Sequence, residues 1–153
     1  MTQTNSEEER KAAYRESGRA VAVALIGFTL QAVSILRTDR SGVLSGPGFT
    51  AFKERSNATF DELTFIAAAG IWGESLALLD EQNLDAESIL SRLNLEGVRI
   101  DMERLRFSLD FLMANYRTAV LEIAQRLLEK KIINGIECGQ IILAQRPIPE
   151  NRM

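Results

Sequence analysis

The chain of 153 residues contains no histidine and a single cysteine, Cys138. Without an imidazole, neither a Ser-His nor a Cys-His nucleophile pair can be assembled. The same absence, with one thiol, removes the usual soft ligands of a zinc site. A lone cysteine excludes an intramolecular disulfide framework and suits the cytoplasm or another reducing compartment. Basic charge is not in excess either: 18 Lys and Arg against 21 Asp and Glu give a net charge of −3. Nonspecific nucleic-acid binding draws on a basic surface that displaces counterions, so no nucleic-acid partner is expected. No apolar run reaches a comfortable membrane length. Residues 20–36 are interrupted by Gly27, Thr29, Gln31 and Ser34 and fall at the short limit of the roughly 17–25 residues a span needs. A buried helix ending near Gly27, then a strand around Gln31 to Arg37, is expected instead of a membrane span. A phosphate-cradling G-x-x-x-x-G-K-[ST] loop is missing, and Gly46-Pro47-Gly48 has neither its spacing nor its following Lys and hydroxyl, so it reads as a turn.

What remains is ordinary globular material, 46% hydrophobic and 25% charged. The acidic Ser6-Glu7-Glu8-Glu9 does not suit a secretory or transit signal. It reads as a capping box whose carboxylates favour the positive end of a helix starting near Glu7. A short second strand is expected around Val43. Thr59 with Glu62 makes another capping box, opening a helix on which Leu63, Ile66, Ala67, Gly70 and Ile71 recur at helical spacing. The small residues from Ala67 to Gly73 suit close approach by a second helix. From Val98 to Lys130 neither Pro nor Gly occurs, and Leu105, Leu109, Leu112, Tyr116, Val120, Ile123 and Leu127 keep helical period. That predicts one helix roughly 45 Å long, a core staple whose apolar face is wider than a coiled-coil seam. Asn134-Gly135 is expected to end it, with a short helix around Glu137 to Leu143 and a mobile tail over 147–153. The carboxylate pairs Asp80/Glu81 and Glu7 to Glu9 fall at helix ends, where capping accounts for them.

The stretch Ala13-Tyr14-Arg15-Glu16-Ser17-Gly18-Arg19-Ala20-Val21 has the frame of H-E-x-x-H with arginine at both histidine positions. In that signature the two histidines grip Zn²⁺ from one helical face, and the glutamate is general base toward the metal-bound water. Further stretches follow in order. Residues 33–46 loosely resemble V-T-I-x-P-R-G-x-x-L-G. Ala69-Gly70-Ile71-Trp72-Gly73-Glu74-Ser75-Leu76 is similar to a helix carrying G-G-R-x-A-E-E. Gln82-Asn83-Leu84-Asp85-Ala86-Glu87 is similar to S-N-D-x-x-x-A, and residues 120–137 resemble L-x-x-L-A-x-x-L-L-E-x-E-x-L-x-G-x-E-I. Together they make most of residues 10–143 resemble the peptidase domain of the FtsH family of AAA+ zinc metalloproteases, in degenerate form and without the AAA+ module.

The resemblance implies an α+β, predominantly helical fold over residues 1–146, an FtsH-peptidase-like helical domain with two or three short strands and a long C-terminal helix. It makes Glu16 the vestigial general-base position, and Arg15, Arg19 and Asp85 the degenerate metal-ligand positions. Glu74 matches an acidic family position. Trp72 is expected as a core or interface anchor, ligand stacking being the alternative. Arginine stays protonated and only donates, so zinc is not expected and no other cofactor is implied. The implied function is a catalytically inactive pseudo-metalloprotease acting by protein-protein interaction or assembly, its partner an FtsH-type protease or another copy of itself. The alternative is an active FtsH-type hydrolase using Glu16 with a non-standard metal or none, and a third reading is a helical assembly subunit. Two guanidinium groups on one helix face require carboxylates nearby, and pairing with Asp85 is expected.

Overall fold

A computed structural model describes residues 7–36, 48–54, 57–78, 85–93, 95 and 99–145. The elements run α1 (Glu7–Ile26), β1 (Thr29–Ser34), β2 (Phe49–Lys53), α2 (Phe60–Leu76), α3 (Ala86–Leu90), α4 (Met102–Asn115), α5 (Arg117–Lys130), β3 (Ile132–Asn134) and α6 (Gly135–Ala144). The fold is thus α+β and predominantly helical. The strands form one antiparallel sheet in the order β2-β1-β3.

Local chemistry explains the main boundaries. Three carboxylates, Glu7, Glu8 and Glu9, occupy the first turn of α1, where the helix dipole favours negative charge. Gly27 stops the helix with φ 99°. Its N–H donates to Ala24 O at 3.1 Å and the Phe28 N–H to Val23 O at 3.2 Å, the two bonds of a Schellman ending. At α2 the expected capping box is present: Glu62 N–H donates to Thr59 Oγ1 at 3.1 Å and Thr59 N–H to Glu62 Oε1 at 3.0 Å.

α1 and α2 cross at very close range. A Cβ at Gly18 would run into the Ala69 carbonyl oxygen, and one at Gly73 into that of Tyr14. The small-residue face of α2 therefore takes the close helix approach that its composition implies, and the helix it meets is α1, which bears Glu16. On another side α1 meets α5, where buried Ser17 Oγ donates to Val120 O at 2.6 Å. Ala13, Val21, Val23, Trp72, Leu109, Leu112, Ile123 and Leu127 belong to one contiguous buried core.

Three expectations are corrected. The single helix over 98–130 is two 14-residue helices, α4 and α5, divided at Tyr116. Tyr116 has φ −122° and ψ 17° and is buried beside Phe111, ring centroids 6.1 Å apart. The halves serve different surfaces, since α4 packs on α2 and α3 whereas α5 packs on α1, and one straight rod could not reach both. Next, the chain leaves α5 at Lys131, which adopts φ 72° and donates its N–H to Leu127 O at 2.8 Å. An αL cap, usually glycine's task, thus falls on a lysine. Finally, this turn frees Ile132–Asn134 to pair with β1 as β3, a strand that helical periodicity concealed. The strand expected around Val43, most of the Gly46-Pro47-Gly48 turn, the Ser6 cap and the tail after residue 146 lie outside the described residues. β2 begins later than Val43, at Phe49.

Candidate functional site

Glu16 sits in the middle of α1 with its side chain 1% exposed, although a buried carboxylate is costly unless paired and hydrogen-bonded. Four donor contacts answer that cost. Oε2 accepts from Arg15 Nε at 3.1 Å and from an Arg19 terminal nitrogen at 3.2 Å. Oε1 accepts from Thr50 Oγ1 at 2.8 Å and from the same Arg19 nitrogen at 3.4 Å. Thr50 also lies 3.2 Å from the Glu16 backbone carbonyl, within donor range. Arg15 extends outward from this centre, its other guanidinium arm 3.5 Å from Glu74 Oε1.

Each element presents a shaped surface to the cluster. Spacings of one and three along α1 put both guanidinium groups within reach of one carboxylate. β2 delivers Thr50, which pairs across the sheet with Val33. Just before β2, Gly48 has φ 99°, and a Cβ there would stand 3.0 Å from Glu16 Cγ, so this position combines a left-handed backbone with close approach. On α2, a Cβ at Gly70 would lie 2.9 Å from Arg19 Nε and 3.3 Å from Arg15 Cγ. The bare glycine face leaves room for both arginine stems.

The structure brings together Arg15, Glu16, Arg19 and Glu74 among the residues singled out from sequence. It does not bring in Asp85. That side chain is the N-cap of α3, where Oδ1 accepts from Ser88 N–H at 2.9 Å, and this backbone bond holds its carboxyl below the ordinary range. The expected pairing of Arg15 or Arg19 with Asp85 is therefore replaced by pairing with Glu16 and Glu74. The adjacent carboxylate is nearer and already buried, whereas Asp85 satisfies orphan amides at a helix start. Trp72 is 4% exposed and belongs to the core, which removes the stacking alternative. Sequence reasoning missed Thr50, which lies 34 positions from Glu16 in a strand with no local mark of a polar role.

A zinc ion does not fit this donor set. Arg15 and Arg19 offer only protonated donors, the Glu16 oxygens are already occupied by them and by Thr50, and Asp85 is committed to its cap. Elsewhere, Cys138 is fully buried in α6, and desolvation, the largest influence, pushes its thiol up to about 12. It is therefore a packed thiol rather than a nucleophile.

The fold and site define a small helical α+β domain whose central feature is a buried carboxylate clamped by two guanidinium groups and a hydroxyl. Neither a protein-family model nor a curated protein matches the chain. Among the described residues, no helix is long and apolar enough to cross a membrane.

Proposed function

We propose that this chain is a non-catalytic, FtsH-peptidase-like protein that acts by binding or assembly rather than by hydrolysis. The observation that carries the reading is the state of Glu16. At the position where the resemblance places a general base, both oxygens are taken up by Arg15, Arg19 and Thr50 and the side chain is 1% exposed. A general base must come within about 2.6–3.2 Å of the proton it removes, and this carboxylate offers no free face to a water. The two arginines stand where the resemblance places metal ligands, and a cation there would meet like charge. The cluster reads as a structural lock joining α1, α2 and β2 in place of a metal.

Metal analysis of the purified protein, combined with turnover of a casein-type substrate, tests this reading. Less than stoichiometric zinc and no turnover are expected, with or without added divalent metal. One tightly bound Zn²⁺ per chain, or hydrolysis abolished by Glu16→Gln, would overturn it in favour of an active hydrolase.

A further inference from the structure

Away from the Glu16 cluster, a groove of about 790 Å³ runs between α2 and α4, with the end of α1 as its floor. Leu25, Phe60, Phe65, Phe107 and Phe111 line it. Phe60 is 68% and Phe107 72% exposed, an unusual placement for large aromatic side chains that carry much of the apolar area in cores and interfaces. The apolar character continues beyond the groove. A second cavity of about 460 Å³ shares Leu25 with the groove and carries the exposed Ile136 and Leu143. Large apolar side chains exposed together around a recess mark an interaction site.

The charges on the rim narrow the occupant. Asp61 and Glu62 stand on the α2 wall, Arg99 and Arg104 on the facing side. Among the described residues, Asp61, Arg99 and Arg104 have no ion-pair partner. The patch therefore carries protruding aromatics beside a recess, and an acidic wall opposite a basic one. Those are the requirements of an isologous contact, in which one surface must complement itself under a two-fold axis. An amphipathic peptide of single charge sign would satisfy one wall and repel the other.

We infer that the α2–α4 groove is a homodimer interface, with Phe107 of one copy seated in the groove of the other and the Asp61 wall of each copy facing the partner's Arg104 wall. This deepens the non-catalytic reading by naming a second copy of this chain as the partner, and it rests on that reading only for its functional meaning. Peptidase turnover would defeat the earlier proposal and leave the dimer standing, whereas a monomer would defeat the dimer alone.

Sedimentation equilibrium of the full chain is the test. The wild type is expected at twice the 17.0 kDa chain mass. Phe107→Glu should raise the dissociation constant at least about tenfold, with an unchanged circular dichroism spectrum because the residue is exposed. Arg104→Glu and Asp61→Lys should each be monomeric alone, since each homodimer would hold two like-charged contacts. Their equimolar mixture should recover the dimer, because one contact is then native and the other reversed in sign. A wild type that stays monomeric, including one whose groove binds a hydrophobic dye in a Phe107-dependent way, would overturn the inference by giving the groove another occupant. A dimer indifferent to Phe107→Glu and to both charge reversals would overturn it by placing the interface elsewhere.

Discussion

At the residue scale, burial of the Glu16 carboxylate dictates the roles of its neighbours. The arginine side chains keep 26% and 38% of their surface while Glu16 keeps 1%, so the carboxylate is the member that cannot return to water. Substituting both arginines by methionine keeps their stems against Gly70 but strands a buried charge with one hydroxyl. Arg15→Met/Arg19→Met should therefore cost about 3–5 kcal/mol, the range for an uncompensated buried ion. Adding Glu16→Gln to that double variant should recover stability, because the charge is removed with its partners. Urea unfolding of the three proteins checks this, and a double variant within about 1 kcal/mol of wild type would show the cluster to be no better than a surface pair. Part of this centre was legible: R-E-S-G-R on one helix announces two cations flanking an acid. The choice of partner was not. Asp85 follows from resemblance, whereas the structure uses Glu16 itself, Glu74 and Thr50, and no local pattern in F-T-A-F-K announces that its hydroxyl points at α1.

At the element scale, glycine does opposite things in different helices. Gly18 and Gly73 lie where α1 and α2 touch backbone to backbone, and an added Cβ would collide with a carbonyl oxygen in each case. Gly139 in α6 has nothing within 4 Å of the corresponding position. Alanine is favoured over glycine in a helix by about 0.8–1.0 kcal/mol, so Gly139→Ala should stabilise. Gly18→Ala and Gly73→Ala should destabilise by about 1–3 kcal/mol, the usual cost of overpacking a core. Thermal melts in which Gly18→Ala and Gly73→Ala raised the melting temperature as Gly139→Ala should would mean that the α1–α2 crossing is looser than backbone contact. The start of α2 at its capping box and the end of α1 at Gly27 were readable because those signals are local. The break at Tyr116 and the strand after Lys131 were not, since each follows from which distant surface the next segment must reach.

The α5–α6 junction supplies a pH dependence at the same scale. Arg126 donates to Glu137 and to Glu122 at 2.8 Å each, and Lys130 reaches Glu137 at 3.0 Å. The Arg126 bond first, then the Lys130 bond, holds the Glu137 carboxyl below its ordinary 4.5. A carboxyl depressed in the folded state contributes stability that is complete above its unfolded value and disappears as pH falls through the folded one. Stability should thus decline below about pH 4.5, and Glu137→Gln should flatten that acid limb while leaving the slope near neutrality unchanged. Denaturant midpoints measured from pH 7 to pH 3 decide it: an acid limb as steep in Glu137→Gln as in wild type would place the titrating group elsewhere.

At the scale of the whole molecule, α1 is the shared support, meeting α2, α5, α6 and both β1 and β2. A domain organised around one central helix should open as a unit, since displacing α1 removes a wall from every neighbour. Cys138 can report this opening. It is fully buried in α6, its thiol pushed up to about 12 chiefly by desolvation, so a thiol reagent at neutral pH finds neither access nor thiolate until the site opens. Labelling should be slow in the native protein, and its rate should follow the equilibrium population of the open state when closing outpaces reaction. Gly18→Ala lies at the α1–α2 crossing and not in α6. If opening is global, each 1.4 kcal/mol lost there should speed Cys138 labelling about tenfold. If α6 instead detaches by itself, Gly18→Ala will lower the melting temperature and leave the labelling rate where it was, and the picture of α1 as the support for one cooperative unit will be wrong.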